Sequence, residues 1–195
     1  MQARDSSIGM TKLYKEIDGK IHYWEIWKND QNSTSMTIHW GVLGDWGEKV
    51  EIIVSTLEEA ANVYENKVKE KENEGFGNPA ITHQMILQFH TDDSWGNIND
   101  LDFRNEMWDH LNGVLGWTGN GAVHGGDIGS GTINLFFDAV DPNIAIQSIV
   151  SAFQYLKLEK KYIIALESIS TKQDAQSDFE IKVLYPQNYK SEFNY

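Results

Sequence analysis

The sequence predicts an α+β protein made of two successive modules, and three observations carry that prediction. Segments in which apolar and polar residues alternate stand beside segments whose apolar residues recur at helical spacing. Their order is strand, strand, strand, helix as far as Phe76, then strand, helix, strand, strand, helix, strand. Between the two runs lies "GFGNPA", residues 75–80, a short Gly- and Pro-rich stretch where one pattern stops and another starts. The expected domains are therefore residues 12–78 and 79–195, preceded by a disordered or extended N-terminus at 1–11.

In the first module, "IHYWEIWKN" (21–29) alternates, with Ile21, Tyr23, Glu25 and Trp27 on one side and His22, Trp24 and Ile26 on the other. "TSMTIHW" places Met36, Ile38 and Trp40 on one face, and "KVEIIVS" makes the next strand. A helix then begins at "STLEEAANVYENKVKEKENEGF", with Thr56 as its cap and Glu59 completing a capping box. Leu57, Ala60, Ala61, Tyr64 and Val68 form its apolar stripe, Lys67, Lys69 and Lys71 lie mostly outside that stripe, and Gly75 stops the helix.

In the second module, "ITHQMILQFH" (81–90) is an apolar strand. "DLDFRNEMWDHLNGVLG" follows as a helix ended by Gly116, with Phe103, Met107, His110, Leu111 and Val114 at helical spacing. "GAVHGGDIGSGTINLFFDAV" contains two strands around a glycine-rich connection. Asp141 caps the next helix and Pro142 takes its first position. "KYIIALESI" has few polar positions, as a central strand should. The order βαββαβ is the ferredoxin-like, or split βαβ, arrangement, with two helices on one face of an antiparallel sheet. An extra C-terminal strand, "DFEIKVLYP", is expected to pair with the one before it through "STKQDAQS".

Composition narrows the function. Cysteine is absent, which excludes disulfides, cysteine-rich zinc sites and a cysteine nucleophile. "MQARDSSIGM" lacks the apolar core of a secretion signal and no stretch has the apolar length to cross a bilayer, so a cytoplasmic protein with no membrane role is expected. The net charge is −13, with 9 Lys+Arg against 14 Asp+Glu before Pro79 and 7 against 15 after it. Both halves repel phosphate backbones and favour basic partners.

Reactive constellations are sparse. "GNGAVHGGDIGSGT" (119–132) lacks the lysine of a phosphate loop and the third glycine of a dinucleotide fingerprint. His124 and Asp127 fall in that stretch as a possible acid-base or metal pair, but no third ligand stands at metal-binding spacing. No catalytic residue, metal site or cofactor is expected, and His124 and Asp127 are assigned instead to partner contact.

The decapeptide "HWGVLGDWGE" (39–48) carries a family signal. Trp40-Gly41, then Gly44-Asp45-Trp46-Gly47, a strand, and a Lys-rich helix closing in Gly-aromatic resemble the WGR domain over roughly Leu13 to Phe76. That is the tryptophan-glycine-arginine module of some poly(ADP-ribose) polymerases and of bacterial proteins labelled as molybdate metabolism regulators. The resemblance implies contact with nucleic acid or neighbouring domains. Here Val42 stands where the motif has arginine, which removes a planar cation able to grip phosphate. Trp40, Gly41, Val42, Gly44 and Gly47 are expected to shape the hairpin, with Trp40 packed under the helix, whereas Trp46 and Asp45 at its tip are expected to contact a partner.

The second half is similar to small ferredoxin-like bacterial domains, including some immunity-type proteins that neutralise toxins, through "LGWTGNGAVHGGDIGSGTINLFFDAVD" and the helix from Pro142. The resulting expectation is a non-enzymatic binding protein whose acidic surface docks a basic protein partner. A WGR-type nucleic-acid-binding or regulatory protein using Lys67, Lys69 and Lys71 is the second reading, and an enzyme with a site at the domain junction the third.

Overall fold

The computed structural model describes residues 9–30, 33–79, 81–170, 178–189 and 193. The chain divides into two compact units, 1–80 and 81–195. The first begins with a strand that the alternation did not disclose: β1 (Thr11–Ile17) pairs antiparallel with β2 (Lys20–Lys28). Leu13 and Tyr14 are adjacent in β1, so its apolar residues do not alternate. Thr11, the last residue of the segment expected to be disordered or extended, is the first residue of β1, and residues 1–8 of that segment lie outside the described residues. The turn is Asp18-Gly19, both at positive φ (51° and 75°), the two-residue connection whose twist suits paired strands.

With β3 (Ser35–Val42) and β4 (Glu48–Ile53) the sheet is four-stranded in the order β1-β2-β3-β4. Its register sets two faces. Trp24 opposes Trp40 and Ile26 opposes Ile38 on one, while Tyr23 opposes Gly41 and Glu25 opposes His39 on the other. Helix α1 (Leu57–Asn73) covers the first face, where Leu13, Trp24, Ile26, Met36 and Ile38 pack with Ala60 and Val68. Burying a side chain such as Ile26 or Met36 completely contributes about 1.5–3 kcal/mol.

Local chemistry starts and stops α1. The Thr56 side chain accepts the Glu59 amide at 3.1 Å, as expected, but the Glu59 carboxylate accepts from the Ser55 amide at 2.9 Å, one residue before the cap. Gly75, at φ +91°, ends the helix, and the Phe76 amide returns to the Lys71 carbonyl at 3.0 Å. The buried stripe differs from the expected one. Ala61 is exposed and Leu57 is 47% exposed, so Ala60, Val63, Tyr64 and Val68 carry the contact with the sheet.

The second unit has the predicted topology. Strands β5 (His83–His90), β6 (Gly121–Gly129), β7 (Thr132–Ala139), β8 (Tyr162–Ser170) and β9 (Asp178–Tyr185) lie in the order β6-β7-β5-β8-β9, every neighbouring pair antiparallel. Removing the edge strand β9 leaves the ferredoxin-like order. Helices α2 (Ile98–Trp117) and α3 (Pro142–Tyr155) close one face over Met85, Leu87, Phe89, Leu135, Phe137 and Ile164. Most of the "STKQDAQS" connection lies outside the described residues.

Two boundaries are corrected. Helix α2 starts at Ile98, capped by Asn97 in a reciprocal box with Asp100, and it runs through Gly116 to Trp117. Gly119, at φ +70°, is the left-handed residue after the helix. The glycine run 119–131 is strand and turn. A side chain at Gly121 would strike the Asp138 carbonyl, and the tight β6–β7 turn is Ser130-Gly131, both at positive φ. Asn120, fully buried, braces the start of α3 by exchanging two 2.9 Å bonds with the Asp141 backbone.

Candidate functional site

The face of the first sheet opposite α1 buries charge. Glu25 and His39, cross-strand neighbours on β2 and β3, are 3% and 1% exposed. Glu25 receives Lys12 of β1 at 2.9 Å and the His39 Nδ1 at 2.6 Å. The His39 Nε2 lies 2.8 Å from the Trp46 carbonyl and 3.1 Å from the Tyr23 hydroxyl, which donates to the Asp45 carbonyl at 3.1 Å. A ladder of polar side chains, half-buried at Lys12 and buried at Glu25, His39 and Tyr23, thus runs to the loop 43–47 and ends on two of that loop's carbonyls. Burial pushes the Tyr23 phenol well above its ordinary range, with Glu25 and then Asp45 adding to the effect. Tyr14, paired with Tyr23, is raised by burial and by Glu25 in the same direction.

The glycines let the loop settle on this ladder. A Cβ at Gly41 would lie 2.8 Å from the Gly47 Cα, and one at Gly47 (φ +64°) would strike the Tyr23 hydroxyl and the Trp40 carbonyl. Gly44 turns the loop at φ +95°. Leu43 is buried beneath the turn, while Asp45 and Trp46 are exposed, Trp46 by 62%. The loop therefore presents a large aromatic side chain to solvent on a backbone held from below.

Trp40 is placed differently from expectation. It faces α1, yet it is 36% exposed, because the helix offers Lys67 and Lys71 there in place of apolar residues. Those lysines, with Trp24, Ile38, Val50 and Phe76, line an open cavity of about 310 Å³. Val42 is half-buried opposite His22.

The three lysines do not form one strip. Lys67 and Lys71, four residues apart, share the sheet-side face of α1, and Lys69 lies two positions round the helix from either. Lys67 pairs with Glu70 at 2.8 Å and Lys71 with Glu74 at 2.7 Å, and the Lys67 bond holds the Glu70 carboxyl below its usual range. Lys71 also lies 5.4 Å from the centroid of the Phe76 ring.

Residues 11–82 match the family model of the WGR domain. The first unit carries a WGR domain. No curated protein and no solved structure matches the chain. Within the WGR domain the Trp40-Gly41 pair, the Gly44 turn and the Lys-rich helix ending at Gly75-Phe76 occupy the places just described. Glu25 and His39 are the residues sequence reasoning missed. A glutamate set among the aromatic and aliphatic residues of 23–27 is the available signal, but its pairing with His39 needs the strand register.

In the second unit His124 and Asp127 are exposed on β6 but engage different partners. His124 Nε2 lies 3.8 Å from Asp138, and Asp127 accepts from Asn134 at 2.8 Å. His124 sits where the β6–β7 register shifts, between Val123 and Gly125. Among the described residues no group of three or more His, Asp or Glu is placed to hold a metal ion, and no helix is long and apolar enough to cross a membrane.

Proposed function

We propose that this chain is a non-enzymatic binding protein that docks a basic protein partner through the Asp45-Trp46 loop of its WGR domain. The observation that carries the reading is the loop itself. Trp46 is 62% exposed on a backbone whose Asp45 and Trp46 carbonyls are bonded to buried side chains. An aromatic held ready in solvent loses little freedom on binding, and aromatic anchors dominate interface energetics. Asp45 and Glu48 flank it, and the net charge of −13 steers cations towards the surface. A nuclease-like basic toxin has the charge such a surface suits, which would make the pairing one of the immunity type. His124 and Asp127 supply a further exposed contact on the second unit under this reading.

The match to the WGR family favours a second reading, in which the chain binds nucleic acid or regulates a protein that does. Trp40, half open beside Lys67 and Lys71, is the feature that supports it. Against it stand Val42 and the glutamates that occupy both lysines. A salt-titrated binding assay with labelled duplex DNA separates the two. The first reading expects no binding at low salt; binding that weakens steeply with added salt establishes the second.

A further inference from the structure

The loop joining β5 to α2 carries Asp92, Asp93, Ser94 and Trp95, and its backbone is tied down throughout. The Thr91 amide donates to the Gly131 carbonyl at 2.9 Å, and the Gly131 amide donates to the Ser94 carbonyl at 3.0 Å. The Trp95 amide donates to the Asp93 carboxylate at 3.1 Å, and the Asn97 amide to the Asp100 carboxylate at 2.9 Å. Gly96, at φ +71°, lies against Ile128, where an added Cβ would come within 2.5 Å of the Ile128 side chain.

That packing has a consequence for the helix start. The residue before an N-cap is often apolar and packs against the fourth helical residue. Here it is Gly96, so Leu101 at the fourth position has no such cover and stays 41% exposed. Ile98 is 68% exposed and Trp95 86% exposed. An ordered loop and helix start thus leave three large apolar side chains open to solvent, Trp95 and Ile98 most of all.

The carboxylates around them are also exposed: Asp92 and Asp93 before Trp95, and Asp102 in the first turns of α2. An apolar centre with an anionic rim complements an arginine side chain, whose stem is apolar and whose planar cation both stacks on indole and pairs with carboxylate. A neighbouring cation already uses this chemistry: Lys160 lies 4.7 Å from the Phe103 ring centroid and 3.7 Å from Asp100. We propose that Trp95, Ile98 and Leu101, rimmed by Asp92, Asp93 and Asp102, form a docking surface for an arginine-bearing segment of a protein partner. The inference rests on the reading that the partner is basic, and adds a second surface on the other unit.

The test uses the full chain and a fluorescein-labelled Arg-Gly repeat peptide, followed by fluorescence anisotropy at low salt. Trp95→Ala is expected to weaken binding at least about fivefold, the scale of a lost cation–π contact. The paired change Asp92→Asn with Asp93→Asn should weaken it too. Tyr155→Ala, which removes an equally exposed aromatic at the end of α3, should leave affinity and thermal melting as they were. Wild-type affinity in a folded Trp95→Ala chain, or no binding of the peptide at all, overturns the proposal. Loss of affinity in Trp46→Ala alone refutes this surface and leaves the basic-partner reading intact; binding of duplex DNA in place of the peptide removes both.

Discussion

Replacing Glu25 by alanine should do more damage to the first unit than its place on a sheet face without a helix suggests. The Glu25 side chain is 4% exposed and is the acceptor for Lys12 at 2.9 Å and His39 at 2.6 Å. Removing it takes the carboxylate away from an ammonium whose side chain is 13% exposed and from the Nδ1 of a ring that is 1% exposed. Breaking a buried pair from one side typically costs about 3–5 kcal/mol, because the remaining partner keeps its desolvation penalty. A unit of this size loses about 4–8 °C of melting temperature per kcal/mol, so Glu25→Ala should melt at least about 12 °C lower. Glu25→Gln keeps an acceptor of the same shape and should cost roughly half as much. Urea unfolding followed by tryptophan fluorescence measures both, and hydrogen exchange at the 45–47 amides reports whether the loop loosens before the unit unfolds. A loss below about 1 kcal/mol in Glu25→Ala would show that the ladder does not hold the sheet or the loop, and would refute the reasoning.

Further expectations concern the same region. Trp46→Ala should change stability by no more than about 0.5 kcal/mol while lowering affinity for the partner by about 2 kcal/mol or more, measured by melting and by calorimetric titration. Gly47→Ala, whose Cβ would strike the Trp40 carbonyl, should cost about 1–3 kcal/mol in urea unfolding and expose the His39 side of the loop to exchange. Stability should fall at alkaline pH. Tyr23 and Tyr14 hold their protons more tightly folded than unfolded, so the unfolded chain ionises first. Their contribution is intact below about pH 10 and declines above it, by about 1.4 kcal/mol per pH unit for Tyr23, and Tyr23→Phe should flatten the decline seen in urea midpoints.

Much of the architecture was legible because it is local. Thr56, Asp141 and Pro142 announce helix starts through their own chemistry, and the βαββαβ order of the second unit follows from alternating periods. Strand β1 escaped because Leu13 and Tyr14 break the alternation, although Asp18-Gly19 marks its hairpin. The start of α2 escaped because its capping box uses Asn97 and Asp100, ahead of the apolar stripe. Gly116 sits inside a helix, where a glycine has no side chain to announce the difference. The Lys67, Lys69 and Lys71 row divides because helical geometry separates positions two apart. The candidate site was half legible. The Gly-rich hairpin marks Trp46 as a solvent-facing tip, but the ladder beneath it depends on strand register, which places Lys12 and His39 on either side of Glu25. Trp95 needed the neighbouring strand turn to show that its loop is pinned and its ring left outside.

The most direct measurement puts a photoreactive amino acid at position 46 of the full chain, in the cells that express it, and identifies what becomes attached. The account predicts a protein of net positive charge, captured less efficiently as salt is raised and lost when Asp45 and Glu48 are neutralised. Capture of nucleic acid, or of an acidic protein without salt dependence, would contradict it.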